Sequence, residues 1–500
     1  MMTKNSQLTK ALSQHAQNHP ERVALRGDSL RLTYAELDQA IAQWAQHLIE
    51  RDARVVLLDM DNDPLWVVAH LALARAGLTC VPMPGFFSEA QRAHIKATTR
   101  ADHVFTLEVA PEKETKLLKL VRLHSPNAEI AGQLITFTSG STGDPKGAVL
   151  SYEELEAVAV SLVGALASLD IQKHLSLLPL STLLENLAGI YAPLIKGIEV
   201  VIPSGEITGL QGSSGLDAMQ LAACLNQERP DSVILVPQLL TALVTLSEFG
   251  LLNDQRLKMV AVGGGKVAQS LLERAVGLGI PVFEGYGLTE CASVVAMNLP
   301  NAARLGSVGK PLAHATIQII EGEICVAASM MSGYLVDKAM ARDALVAALP
   351  EENIALHDGV PFWKTGDLGD FDQEGFLYVF GRKRNVFITS FGRNVNPEWP
   401  EALLTEHPEI AQAVVYGEAL EQVHADLWVR PGFSRESAEA RLVAVNSVLP
   451  DYAQLGCVNW YEESFPAEYL SPAGKVRREQ YLKGLGSQRN RATFEMEKRA

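Results

Sequence analysis

Between Ile135 and Gly147 the chain reads Ile-Thr-Phe-Thr-Ser-Gly-Ser-Thr-Gly-Asp-Pro-Lys-Gly, with three glycines, five hydroxyl side chains and one lysine in thirteen residues. These residue types in this density handle phosphate. Glycines at 140, 143 and 147 let the backbone turn with its N–H groups toward an anion, the hydroxyls add donors, and Lys146 adds a charge. Thr138, Ser139, Gly140, Ser141, Thr142, Gly143 and Lys146 are therefore candidate phosphate contacts. The loop of nucleoside triphosphatases requires Gly-Lys-Ser/Thr after a fixed spacing, and Pro145 stands where its second glycine would be, so this is a different loop. A flexible Ser/Gly linker is the plain alternative. It is disfavoured by the strand-like Gln133–Phe137 before the loop and the amphipathic Glu153–Leu166 after it.

Four other segments carry chemistry. Met259-Val-Ala-Val-Gly-Gly-Gly-Lys-Val-Ala268 satisfies a dinucleotide fingerprint, with Gly263, Gly265 and Ala268 after a strand and Glu284 about twenty residues on. The plain reading of the same glycines, including Gly264, is a tight strand-to-helix turn. Glu284-Gly285-Tyr286-Gly-Leu-Thr-Glu290 ends a buried strand, where open α/β sheets bind ligands. It offers an aromatic face at Tyr286, a hydroxyl at Thr289 and a hard oxygen ligand for Mg²⁺ at Glu290. In Trp363-Lys-Thr-Gly-Asp367 the carboxylate suits a vicinal diol such as ribose, or else steadies its own turn. Leu470-Ser-Pro-Ala-Gly-Lys-Val-Arg-Arg478 presents Lys475 on a turn that would otherwise be a solvated surface. His15 and His19 have a spacing that could bind metal on a helix face, but no third ligand accompanies them.

The elements that must position these residues follow from apolar patterning. Continuous apolar runs at Arg54–Asp59 and Leu78–Pro82 flank a helix through Trp66–Ala76, the pattern of a parallel sheet covered on both faces. The pattern recurs at Leu175–Pro179, a helix over Leu183–Ile195, then Glu199–Ile202, Ser232–Val236, Met259–Val262 and Pro281–Phe283. From about residue 305 the segments become shorter and alternating, as in a small β subdomain. The expected fold class is α/β: a large N-terminal domain of layered α/β subdomains with a small β subdomain, over 1–381, then a hinge at 382–385 and a small mobile α+β domain over 386–500.

Composition narrows the function. The chain has 500 residues, 47% of them hydrophobic and 20% charged, which indicates an enzyme-sized globular body. Its net charge of −15 argues against nucleic acid as a partner. Five scattered cysteines suggest neither a disulfide framework nor a zinc site. With no apolar signal core and no transmembrane run, a cytoplasmic protein is expected, peripheral contact with a membrane surface staying open.

Phe137–Gly147, Tyr286–Glu290, Thr365–Asp367, Gly381-Arg382 with Gly392-Arg-Asn-Val-Asn-Pro397, and Gly474–Arg478 occur in the order and spacing of the adenylate-forming acyl-CoA synthetase (AMP-binding) superfamily, which the chain resembles over nearly its whole length. The resemblance implies that the Ser/Thr-rich loop holds the ATP β- and γ-phosphates, that Tyr286 packs on adenine and that Thr289 lies near the α-phosphate. It implies Mg²⁺ on Glu290, ribose on Asp367 and Arg382, and Lys475 as the bridge between substrate carboxylate and α-phosphate. It assigns Gly264, Gly265, Glu284 and Gly285 to the acyl and nucleotide pocket and the Gly392 loop to the thiol step, reached by rotation about Arg384. Two positions depart from the pattern: Thr182 and Tyr152 stand where histidines are usual, which bears on the acyl and thiol pocket. The segment 382–400 looks most like long-chain acyl-CoA synthetases. The implied activity is therefore adenylation of a carboxylic acid, a medium- or long-chain fatty acid by default, followed by transfer to CoA or to the phosphopantetheine of an acyl carrier protein. The alternatives are an acyl-AMP ligase loading a carrier protein or acting on a hydroxy or aromatic acid, a nicotinamide dehydrogenase, and a catalytically silent adenylate-binding protein.

Overall fold

The computed structural model describes residues 6–109, 116–123, 132–138, 145–211, 215–253, 256–336, 346–391, 393–470 and 476–485. The chain divides into two compact units, a larger one ending at Val379 and a smaller one that runs from Phe380.

Two large sheets build the larger unit. In the nine-stranded sheet six neighbouring strands run parallel, in the spatial order Val23–Arg26, Glu199–Val201, Lys173–Leu175, Ser232–Leu235, Met259–Val262 and Val282–Leu288. Antiparallel strands finish it at both edges. In the eight-stranded sheet the parallel centre is Gln133–Thr138, Thr79–Pro82, Val55–Leu58 and His103–Val109. Helices lie between the sheets, and one core joins Leu25 and Val200 from the first sheet to Val56 and Leu134 from the second through Trp66, Leu73, Leu155 and Tyr191. The opposite faces are covered too: Val201, Val233 and Val260 pack on Leu225, Leu240 and Leu272, and Leu57, Val81 and Ile135 pack around Ile95. Burial on both faces is why these strands are runs of Val, Ile and Leu.

Local signals fix the helix starts. Thr33 and Glu36 form a reciprocal capping box ahead of Tyr34–Glu50, as the sequence spacing predicts, and Ser151 with Glu154 does the same for Tyr152–Ala165. Helix Pro64–Ala76 has Asp63 as its N-cap, Pro64 at the first position and Gly77 at φ +70° after its end, and it is buried along nearly its whole length. Each cap of this kind contributes about 1 kcal/mol.

The sequence expectations need adjusting in four places. The strand expected at Leu175–Pro179 occupies Lys173–Leu175, because Leu178 and Leu180 turn away to meet Asn62. The helix expected over Leu183–Ile195 opens as a π-helix, Glu185–Tyr191, before Ala192–Lys196. The strand expected to stop at Phe283 continues to Leu288. Within the small β region, Gly333–Val336 and Val346–Ala348 leave to extend the eight-stranded sheet, while Thr316–Ile320, Glu323–Ala327, Ile354–His357 and Val360–Phe371 form a separate antiparallel sheet.

The smaller unit holds a three-stranded sheet, Ile410–Tyr416, Val423–Val429 and Leu455–Tyr461, with helices Glu398–Thr405 and Arg435–Val448. Period-two alternation sorts its side chains: Ala413 and Val415 join Leu404 and Leu427 in one core, and Val414 joins Trp428 and Tyr481 on the other face. The architecture is α/β with a large N-terminal and a small C-terminal part.

Candidate functional site

Strand Val282–Leu288 changes partners halfway. Through Glu284 it pairs in parallel with Met259–Val262, and from Gly285 onward it pairs antiparallel with Ser293–Met297. The register slips between Tyr286 and Gly287, a bulge that re-aims side chains. Gly287 is obligatory there, since a Cβ would lie 2.0 Å from the Ser293 carbonyl oxygen. The return of the chain is tight: Ala292 (φ +55°) and Ser293 (φ +101°) occupy conformations that side chains rarely adopt. Between them and Leu288, a 3-10 turn over Thr289–Cys291 presents Thr289 and Glu290, both half-buried.

Tyr286 leads from this strand to the small antiparallel sheet. Its hydroxyl donates to Oδ2 of Asp367 at 2.6 Å. Asp367 is itself fixed: its backbone N–H donates to Thr365 Oγ1 (3.0 Å), the Thr365 hydroxyl donates to the Ile324 carbonyl (2.8 Å), and the N–H of Gly366, at φ +74°, donates to Glu323 (2.9 Å). Only 5% of Asp367 is exposed, so the carboxylate is a positioned acceptor rather than a solvated one.

Glu290 is held from a different direction. Its backbone carbonyl accepts the Met331 N–H (2.9 Å), and its Oε1 accepts the Tyr334 hydroxyl (2.5 Å). The Tyr334 ring lies beneath Lys146, whose Nζ is 5.6 Å from the ring centroid. Lys146 is exposed and pairs across the ladder with Thr138, so the two residues stand at the base of the phosphate-type loop. Glu290 suits Mg²⁺, a hard cation usually held by one or two carboxylates with substrate phosphates supplying other ligands. Among the described residues no cluster of three or more His, Cys, Asp or Glu could make an all-protein cage.

The Gly263–Gly265 turn follows its strand as expected, with Gly264 at φ +77° and with Gly264 and Gly265 exposed. The helix after it starts only at Gln269, and Glu284 points inward: its carboxyl accepts the Val267 N–H, and burial pushes its pKa up to about 8, against the pull of Lys266. A dinucleotide site needs the helix N-terminus at the pyrophosphate and an acid available to ribose. Here the acid closes the loop instead.

Of the other candidates, Ser139, Gly140, Ser141, Thr142, Gly143, Gly392 and Lys475 lie outside the described residues. Arg382 belongs to the smaller unit and is exposed. Thr182 donates its hydroxyl to the Pro179 carbonyl (2.8 Å), capping the turn before the π-helix. Tyr152 is buried and donates to the Leu78 carbonyl (3.0 Å), so it serves packing. His15 is bonded at Nε2 to the Ile195 carbonyl region (3.1 Å) with its ring against Tyr34. Sequence reasoning missed Tyr334 and Glu323, each on a strand remote in sequence from the residue it holds.

Comparison with known proteins fits this geometry. The AMP-binding enzyme family matches residues 12–335. A 2-succinylbenzoate–CoA ligase from Bacillus velezensis is 29% identical over 438 residues, covering 81% of this chain and 84% of that protein. The o-succinylbenzoate CoA synthetase of Bacillus subtilis, solved with its acyl-adenylate intermediate, is 25% identical with a TM-score of 0.73 and covers 94% of this chain and 97% of its own. The same synthetase solved with ATP and magnesium ion gives a TM-score of 0.72 at 25% identity and covers 94% of this chain and 98% of its own. The chain belongs to the AMP-binding enzyme family and is an AMP-forming acid–thiol ligase.

Proposed function

We propose that the chain adenylates an aromatic carboxylic acid with ATP and passes the acyl group to the thiol of CoA. The observation that carries this reading is the convergence, within the larger unit, of Tyr286 bonded to Asp367 and of Glu290 bonded to Tyr334 beside Lys146. An aromatic acid is favoured over the fatty acid expected from segment 382–400, because the relatives that match four-fifths of the chain are named 2-succinylbenzoate–CoA ligases.

In the first half-reaction a carboxylate oxygen of the acid attacks the α-phosphorus of ATP. The bond to the bridging oxygen breaks, and pyrophosphate leaves with the electron pair. Two anions must meet, so the residues act by positioning and by offsetting charge. Tyr286 offers its ring to adenine and Asp367 accepts from the ribose hydroxyls, while by the family resemblance Arg382 would donate to the ribose. Thr138 through Gly143 and Lys146 clamp the β- and γ-phosphates, and Thr289 bonds the α-phosphate. Glu290 would hold Mg²⁺, and the ion would supply positive charge to shield the phosphates. Glu284 closes the turn that begins at Gly263, beside the Gly285 carbonyl, and that carries Gly264 and Gly265. By the family resemblance Lys475 would bridge the acid and the α-phosphate; in the second half-reaction the CoA thiol attacks the acyl carbon, with AMP leaving.

Acid-dependent ATP–pyrophosphate exchange tests the reading. Exchange should appear with aromatic acids and be lost in Lys475→Ala, and absence of exchange with every acid in a broad panel would overturn it.

A further inference from the structure

We infer that Tyr334 is a positioning residue for the metal-nucleotide site: its hydroxyl sets the orientation of the Glu290 carboxylate and its ring fixes that carboxylate relative to Lys146. The inference rests on the adenylation reading, in which Glu290 meets Mg²⁺.

Register explains how one side chain reaches both. Strand Gly333–Val336 pairs antiparallel with Lys146–Ser151, placing Tyr334 opposite Ala148. Lys146 and Ala148 are two apart on one strand and share a face, so Tyr334 and Lys146 are diagonal neighbours, which accounts for the 5.6 Å between Nζ and the ring. From the same ring the hydroxyl extends to Oε1 of Glu290 at 2.5 Å. The backbone repeats the link: the Met331 N–H donates to the Glu290 carbonyl (2.9 Å) and the adjacent Ser332 N–H donates to the Val149 carbonyl (2.8 Å). Glu290 hangs from the nine-stranded sheet, and Lys146 belongs to the eight-stranded one. The segment 331–334 is thus the strut that holds a candidate metal ligand of one sheet against a candidate phosphate ligand of the other.

Chemistry gives the hydroxyl a purpose beyond the strut. A donor committed to Oε1 fixes the carboxylate plane and leaves Oε2 for a cation. Outer partners of this kind orient metal ligands, and their loss typically weakens metal affinity about 10- to 100-fold.

Tyr334→Phe separates the two roles, keeping the ring under Lys146 and removing only the hydroxyl. Binding of Mn²⁺, a paramagnetic substitute for Mg²⁺, is measured by electron paramagnetic resonance on the full chain with a non-hydrolysable ATP analogue. Affinity should fall roughly tenfold in Tyr334→Phe, with the melting temperature without ligand close to that of the wild type. In the Glu290→Gln background the same substitution should cause no further loss. Unchanged Mn²⁺ affinity in Tyr334→Phe, or an equal further loss in the Glu290→Gln background, overturns the inference alone. Absence of nucleotide-dependent Mn²⁺ binding in the wild type overturns the metal role of Glu290 and the inference with it.

Discussion

The hydroxyl of Tyr286 meets Oδ2 of Asp367 at 2.6 Å, joining the bulged end of a strand in the nine-stranded sheet to strand Val360–Phe371 of a separate antiparallel sheet. Eighty-one positions apart in sequence, the two residues make one surface, an aromatic face beside a buried carboxylate. That pairing is what adenosine requires, a plane for the base and an acceptor for the ribose hydroxyls.

The two partners should therefore fail differently. Asp367→Ala removes both ribose acceptors and should raise the KM for ATP in the exchange reaction by more than about tenfold, as expected for loss of hydrogen bonds to a charged group. Tyr286→Phe keeps the ring and should raise it only a few-fold. Steady-state exchange kinetics of the two variants check this, and equal effects would count against separate roles.

Gly287→Ala should unfold the hairpin that carries Thr289 and Glu290. Its Cβ would sit 2.0 Å from a backbone oxygen, which no rotamer can relieve. We expect a loss of more than about 3 kcal/mol, at the upper end of single substitutions, read as a lowered thermal midpoint. A midpoint equal to wild type would show that the Ser293 turn relaxes freely.

Glu284 sets a pH dependence of stability. Burial raises its pKa from 4.5 to about 8, so between those values the folded chain keeps a proton that the unfolded chain has lost. Its stabilising contribution is complete below pH 4.5 and is lost as pH rises toward about 8. At 1.36 kcal/mol per unit, the loss is of order a few kcal/mol. Glu284→Gln cannot ionise and should flatten this part of the stability curve, gaining on the wild type at pH 8. Denaturant midpoints measured from pH 5 to 9 check it; parallel curves for the two proteins would contradict it.

Much of this was legible in the sequence. The apolar runs gave the parallel strands because both sheet faces are buried, and Thr33 with Glu36 marked a helix start by local chemistry. Tyr286, Glu290 and Asp367 stood out because glycines flank or precede them. The Tyr334–Glu290 and Tyr286–Asp367 bonds were not legible, since each joins strands whose register is set by tertiary pairing. The π-helix at Glu185–Tyr191 was also hidden. There His174 bonds to Glu185 at 3.2 Å, and Gly189 leaves room where a Cβ would strike the Glu185 carboxylate, features an apolar helical pattern does not report.

Lys146 should matter to one half-reaction only. It is an exposed cation at the base of the phosphate-type loop, so Lys146→Ala should slow acyl-AMP formation by about 100-fold or more, in line with loss of one transition-state charge contact. Transfer to CoA from supplied acyl-AMP should stay near the wild-type rate. Stopped-time assays of each half-reaction check this, and equal losses in both would contradict the clamp role.

The central claim is best tested by mass spectrometry of the products formed from ATP, Mg²⁺ and CoA with 2-succinylbenzoate, other aromatic acids and fatty acids of graded length, a carrier protein being offered in parallel. The account predicts an aromatic acyl-CoA with matching amounts of AMP and pyrophosphate. Fatty acyl-CoA as the sole thioester, acylation of the carrier protein alone, or no AMP with any acid would contradict it.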